Sequence, residues 1–168
     1  IRYHDPAQTR KELRQAQLVK ILRVHTRKPR RAGYGDKVRI VTWNVWWRFG
    51  DWEPRQVAIS RTLENLEADV VCLQEVWSAE TGEDQAKELA MALGMHYVRT
   101  PERWWKGYSF GNAILSKYPI IESESTQLPP IDGPGARWAL SALLDRDGSE
   151  IPVICTHLDH RFDQSRRR

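Results

Sequence analysis

The stretch that most constrains the fold is Val38–Val45, VRIVTWNV, which is apolar at nearly every position: Val38, Ile40, Val41, Trp43 and Val45. Such a run reads as a strand covered on both faces, because a half-exposed strand would alternate apolar and polar. Asn44 sits near its end. An amide at that point has lost water on most sides and needs a partner, for which a metal or a phosphate is one candidate. Ala68–Val76, ADVVCLQEV, repeats the design and ends in Gln74-Glu75. Two buried strands thus each bring an oxygen-bearing side chain to a carboxyl end, the edge at which open α/β sheets bind ligands.

At 168 residues the chain is long enough for one domain with a real core. Its hydrophobic content of 40% and mean hydropathy of −0.62 describe a globular, soluble class. No apolar run approaches the ~20 residues a membrane span needs. The formal charge of +4 is unevenly spread. Residues 1–37 hold 11 Lys/Arg against 3 Asp/Glu, whereas residues 38–168 hold 15 against 19. The basic character therefore belongs to the N-terminal segment, which suits either nucleic acid or anionic lipid, or simply a solvated tail. Cys72 and Cys155 each sit in an apolar run and read as small buried thiols. They lack metal-site spacing, and they favour a reducing, cytoplasmic compartment. The chain begins at Ile1 and shows no secretory h-region, so export stays open.

Thr9-Arg10-Lys11-Glu12 has capping-box form, and Leu13, Ala16, Val19, Ile21 and Leu22 follow at roughly helical spacing. This predicts a basic amphipathic helix over residues 10–24. HTRKPRR and AGYGD then form a charged linker, placing a domain boundary near residue 37. Residues 1–37 are therefore read as helix and linker, and 38–168 as the globular part.

Beyond the first strand, Pro54 suits the first turn of a helix whose buried stripe is Ile59, Leu63 and Leu66. A strand is expected at 69–75, a helix at 83–93 closed by Gly94, and a strand at 96–100. Strands at 112–116, 120–125, 137–145 and 151–156 follow, the last two joined at Asp147-Gly148. The order is β-α-β-α-β and then a run of strands, an α/β chain.

Polar groups sit beside these strands at Asn44, Glu75, Gly111-Asn112, Arg137 and Thr156-His157-Leu158-Asp159. Glu75 with Asn44 offers oxygen ligands, which suit Mg²⁺ rather than zinc. Taken singly, each residue has an ordinary structural explanation. Glu75 could belong to a strand-end salt bridge, Asn44 and Asn112 to turns, His157 to the core, and Arg137 to the surface.

Their order narrows the choice. TWN, LQEV, GNAILSKYPI, RWALSALLD and THLDH, in that sequence over residues 38–168, resemble the endonuclease/exonuclease/phosphatase family, which includes deoxyribonuclease I. The resemblance does not reach residues 1–37. It implies a two-sheet β-sandwich flanked by helices and a Mg²⁺-dependent phosphoester hydrolase, with Mn²⁺ as a substitute ion. It places Asn44 and Glu75 at the metal, Arg137 on the phosphate, and His157 at the leaving side of the scissile bond. Asn112 lines the pocket. Asp159 orients His157, and Glu102 is an alternative carboxylate partner for that histidine. The family's G-D-x-N and S-D-H segments, which carry the water-orienting aspartate and the general base, have no counterpart here. The expectation is a truncated fold, a piece of a longer parent or one needing a complementing C-terminal segment.

Substrate identity is less constrained. Trp46, Trp47, Trp104 and Trp105 fall on loops near the expected site, where they could stack bases or meet a lipid surface. Nucleic-acid phosphodiesters rank first, followed by phospholipid or inositol-phosphate esters. A non-catalytic scaffold is the alternative of a different class.

Overall fold

The computed structural model describes residues 20–25 as backbone, and residues 37–101, 104–128 and 137–158 in full. Strands β1 (Lys20–His25), β2 (Lys37–Asn44), β3 (Val70–Val76), β4 (His96–Arg99) and β5 (Gly111–Ser116) form one sheet in the order β1-β2-β3-β5-β4. Strands β6 (Ile120–Gln127), β7 (Trp138–Arg146) and β8 (Ser149–Thr156) form a second, antiparallel sheet. Helices α1 (Trp52–Leu66) and α2 (Gln85–Leu93) lie between β2 and β3 and between β3 and β4 in the chain. This is the expected α/β sandwich of two sheets.

The apolar runs are explained by two separate cores. On one face of the first sheet, Val41, Val71, Leu73 and Leu115 pack with Ile59 and Leu63 of α1 and Leu89 of α2. On the other, Val38, Val70, Cys72 and Ile114 meet Leu140, Leu144, Val153 and Cys155 of the second sheet. A strand flanked by helices on one side and a sheet on the other has no wet face, so it does not alternate. β8, covered on one face only, does alternate: Ile151, Val153 and Cys155 are buried while Pro152 and Ile154 are exposed. Cys72 and Cys155 are buried and unbridged, as read from their settings.

The local signals hold as well. Gly94 caps α2 in the left-handed region, and Asp147-Gly148 turns the β7–β8 hairpin with positive φ at both residues. The N-terminal reading needs correction. Lys20–Val24, the end of the expected helix, and His25 of the expected linker form strand β1, and its six residues pair antiparallel with Lys37–Thr42. The β2 edge offers a row of backbone donors and acceptors, and pairing satisfies them in a way that the weak helical spacing of KILRV does not. Residues 20–25 therefore join the sheet from which a boundary near residue 37 would exclude them. The rest of the expected helix lies outside the described residues.

Candidate active site

The parallel pairing of β2 with β3 sets Asn44 directly beside Gln74. The ladder continues past the strand end, with the Val45 N–H donating to the Gln74 carbonyl and the Trp47 N–H to the Glu75 carbonyl, both at 2.9 Å. On its other side β3 pairs with β5, and here the register slips: Gln74 opposes Asn112, Val76 opposes Gly111, and Glu75 is the extra residue. Glu75 takes φ 58°, in the left-handed region. A bulge of this kind re-aims one side chain. Gln74 turns into the sandwich, where its amide donates to Thr42 Oγ1 at 3.1 Å and to Cys155 Sγ at 3.3 Å. Glu75 instead turns to Asn44, whose Nδ2 donates to Oε1 at 2.9 Å. The two residues ranked first from sequence are therefore in contact, thirty-one positions apart.

His157, just past the end of β8, brings Nε2 to 3.6 Å from the same Glu75 Oε1. Arg137 Nη1 lies 3.0 Å from His157 Nδ1. A guanidinium only donates, so Nδ1 must accept and the imidazole proton sits on Nε2, facing Glu75. Asn112 is buried, with its Nδ2 donating to the Trp138 carbonyl at 2.9 Å and its backbone N–H to Thr100 Oγ1 at 3.1 Å. Thr100, Phe110, Asn112, Arg137 and His157 line one narrow cleft. Asn44, Glu75, Asn112, Arg137 and His157 thus gather at one end of the sandwich. Asp159 and Glu102 lie outside the described residues.

Aromatic rings border this cleft. Phe110 stands 6.4 Å from the His157 ring and 6.4 Å from Trp47. Trp47 also meets Phe49 at 5.2 Å and Trp105 at 6.2 Å, and its Nε1 donates to the Ser109 carbonyl at 2.7 Å. Phe49, Trp104, Trp105 and Phe110 are exposed. Trp46 is only half-exposed; its ring lies 5.0 Å from the Arg55 guanidinium carbon. Trp47 and Trp105 thus border the site as a group, while Trp46 packs beside Arg55.

Sequence reasoning missed Phe110, Thr100, Arg55 and Arg48. Phe110 immediately precedes the Gly111-Asn112 pair, a usable signal. Arg48, wrapped by Trp52 at 3.9 Å, Tyr108 at 4.1 Å and Trp77 at 4.8 Å, had none, because these rings come from three separate loops and elements.

The donor chemistry fits a hard cation. Glu75 supplies carboxylate oxygens, which Asn44 orients by turning its Nδ2 to Oε1 and its Oδ1 to the Trp46 N–H. Mg²⁺ characteristically takes one or two carboxylates and fills its shell with water and substrate phosphate. Among the described residues no group of three His, Cys, Asp or Glu side chains converges as a closed cage would require.

A family model described as the Endonuclease/Exonuclease/phosphatase family matches residues 41–168. The chain belongs to this family. YbhP of Escherichia coli K12, an uncharacterized protein, is 30% identical over 112 residues, which are 59% of this chain and 44% of YbhP. The chain thus spans less than half the length of that relative. A family protein from Leptotrichia buccalis C-1013-b superposes with TM-score 0.61 at 18% identity, over 73% of this chain and 54% of its own. The human Nocturnin catalytic domain, solved with a bound sulfate anion, gives TM-score 0.61 at 22% identity, over 85% and 55%. D. rerio TDP2, solved with a single-strand DNA product, gives 0.61 at 20%, over 76% and 48%. These likenesses establish the shared fold. No helix among the described residues is long and apolar enough to cross a membrane.

Proposed function

We propose that the site hydrolyses phosphoester bonds with the help of a divalent cation, Mg²⁺ or Mn²⁺, held by Glu75 with Asn44. The observation that carries this reading is the Asn44–Glu75 contact at 2.9 Å, with His157 3.6 Å from the same carboxylate oxygen. When bound, the ion would polarise a phosphoryl oxygen and offset developing negative charge. Arg137 supplies a fixed positive charge and keeps the His157 proton on Nε2 through its contact with Nδ1. That N–H faces Glu75 Oε1, beside which it can donate to a phosphate or leaving oxygen. Asn112, pinned at both its backbone and its side chain, shapes the same wall.

Among substrates, nucleic-acid phosphodiesters are favoured. Exposed Trp105 and Phe110 beside the cleft provide faces on which unpaired bases can stack, and Lys106, 4.7 Å from the Trp105 ring centroid, adds positive charge. The single-strand DNA product in the D. rerio TDP2 neighbour accords with this choice. The same exposed aromatics also favour a second reading, a phospholipid headgroup approached from a membrane surface.

The test is a panel of single-stranded DNA, RNA, sphingomyelin vesicles and bis-p-nitrophenyl phosphate, each with Mg²⁺ or EDTA. We expect turnover that needs the ion, is greatest on nucleic acid, and is lost in Glu75→Gln. Turnover that survives EDTA or Glu75→Gln would remove Glu75 from the mechanism. Silence on every substrate would favour the scaffold alternative.

A further inference from the structure

The turn that presents Asn44 to Glu75 is backbone-strained, and both of its strained residues offer their carbonyls to Arg55, the Trp46 carbonyl also accepting from the Phe49 N–H at 3.3 Å. Trp46 and Trp47 are consecutive non-glycine residues with φ 62° and 42°, a conformation that bulky side chains avoid. Asn44 Oδ1 accepts from the Trp46 N–H at 2.9 Å, and the Trp47 N–H reaches the Glu75 carbonyl at 2.9 Å. Turn and bulge are thus laced together, three left-handed residues in two neighbouring segments. The turn's own carbonyls point the other way, to α1. There Arg55 Nη2 donates to the Trp46 carbonyl at 3.2 Å and to the Trp47 carbonyl at 3.1 Å, with its guanidinium beside the Trp46 ring.

We propose that Arg55 is a positioning residue: by clamping these two carbonyls it holds the Trp46–Trp47 turn in its left-handed form and so keeps Asn44 against Glu75. Several features make it suited to the task. Arg55 sits in the first turn of α1, a rigid element packed into the core through Ile59 and Leu63. One planar nitrogen with two N–H groups matches two successive carbonyls in a way that a freely rotating hydroxyl would not. Burial lowers its pKa from the ordinary arginine value, and the nearby charges of Asp51 and Glu75 offset part of that. The clamp stands on hydrogen-bond geometry alone, whereas its effect on ion binding rests on Glu75 being the ion-binding carboxylate.

The experiment compares wild type, Arg55→Met, Arg55→Lys and Glu75→Gln. Amide hydrogen exchange is followed at Trp46 and Trp47, with the β3–β5 ladder as the reference for folding, and Mn²⁺ affinity is measured by water-proton relaxation. In Arg55→Met the Trp46 and Trp47 amides should exchange about tenfold faster while the ladder stays protected. Mn²⁺ binding should weaken about 10- to 100-fold, as expected when a group orienting a ligand is removed. Arg55→Lys retains a charge near Trp46, so it serves if Arg55→Met does not fold, and it should show the same acceleration in smaller degree. Wild-type exchange at Trp46 and Trp47 in the folded variants would overturn the clamp. Faster exchange with unchanged Mn²⁺ affinity, where Glu75→Gln abolishes binding, would overturn the positioning role and leave the proposed function standing. If Glu75→Gln itself binds Mn²⁺ like wild type, the proposed function fails, and the amide exchange alone decides the clamp.

Discussion

At the scale of the residue, the site depends on close approaches that leave no spare volume. Gly111 opens β5 where a Cβ would collide with Thr100 Oγ1, the atom that accepts the Asn112 N–H. Gly111→Ala should therefore push Thr100 aside and cost about 1–3 kcal/mol, the usual range for overpacking. Thermal denaturation measures the loss, and an unchanged midpoint would mean that the strand shifts freely. That Gly111 stands before Asn112 is plain in the sequence; why it must be glycine is not, because Thr100 arrives from just past the end of β4, eleven positions earlier. The Asn44–Glu75 pair was legible for a different reason. Both ends of that contact are terminal residues of apolar runs, and termini of buried strands are few.

At the scale of the element, α2 illustrates what sequence shows and what it hides. Its Gly94 terminus and its Leu89 stripe are readable from spacing alone. Its start is less so, since Asp84 has two tasks. Oδ1 accepts from the Ala86 and Lys87 N–H groups at 2.9 and 3.1 Å, while Oδ2 meets Arg99 Nη1 of β4 at 2.9 Å. Arg99 also donates to Ser109 Oγ at 2.7 Å, so the helix cap is joined through β4 to the segment carrying Phe110. Both side chains of the ion pair are largely buried, at 15% and 11% exposure. Removing a cap costs about 1 kcal/mol and breaking a buried pair about 3–5 kcal/mol. Asp84→Ala should thus lose about 3 kcal/mol or more, and Asp84→Asn less, because an acceptor for the cap remains. Urea unfolding separates the two variants; equal midpoints would show that the capping oxygen contributes nothing. The N-terminal strand was misread for a related reason: KILRV suits either periodicity, and what decides is the unpaired edge of β2, a partner that local spacing does not reveal.

At the scale of the whole molecule, stability resides in the seam between the sheets. Leu140 is 1% exposed and packs across that seam, whereas Ile154, on the outer face of β8, is 68% exposed. Leu140→Ala should cost about 2–5 kcal/mol by leaving a cavity. Ile154→Ala should stay within about 0.5 kcal/mol, and denaturant midpoints of the two variants test the contrast. The sandwich was anticipated only through the ordered motifs that resemble the family; periodicity alone gave buried strands and an α/β order, and the alternation in β8 shows afterwards why its outer face is wet. The aromatic rim was anticipated only as scattered tryptophans, because its members converge from loops that no single stretch of sequence joins.

The slip at Glu75 carries a last consequence, one of counting rather than chemistry. Along a strand, odd and even positions face opposite ways, so a lone added residue exchanges the two sets from that point on. Here it moves Val76, an even position, to the helix-covered face of Val71 and Leu73 and releases Glu75 from that face to meet Asn44. A variant lacking one residue in this segment would keep nearly every amino acid and still turn the acid away from its amide. In this chain the length of a strand, as much as its letters, decides whether there is a site at all.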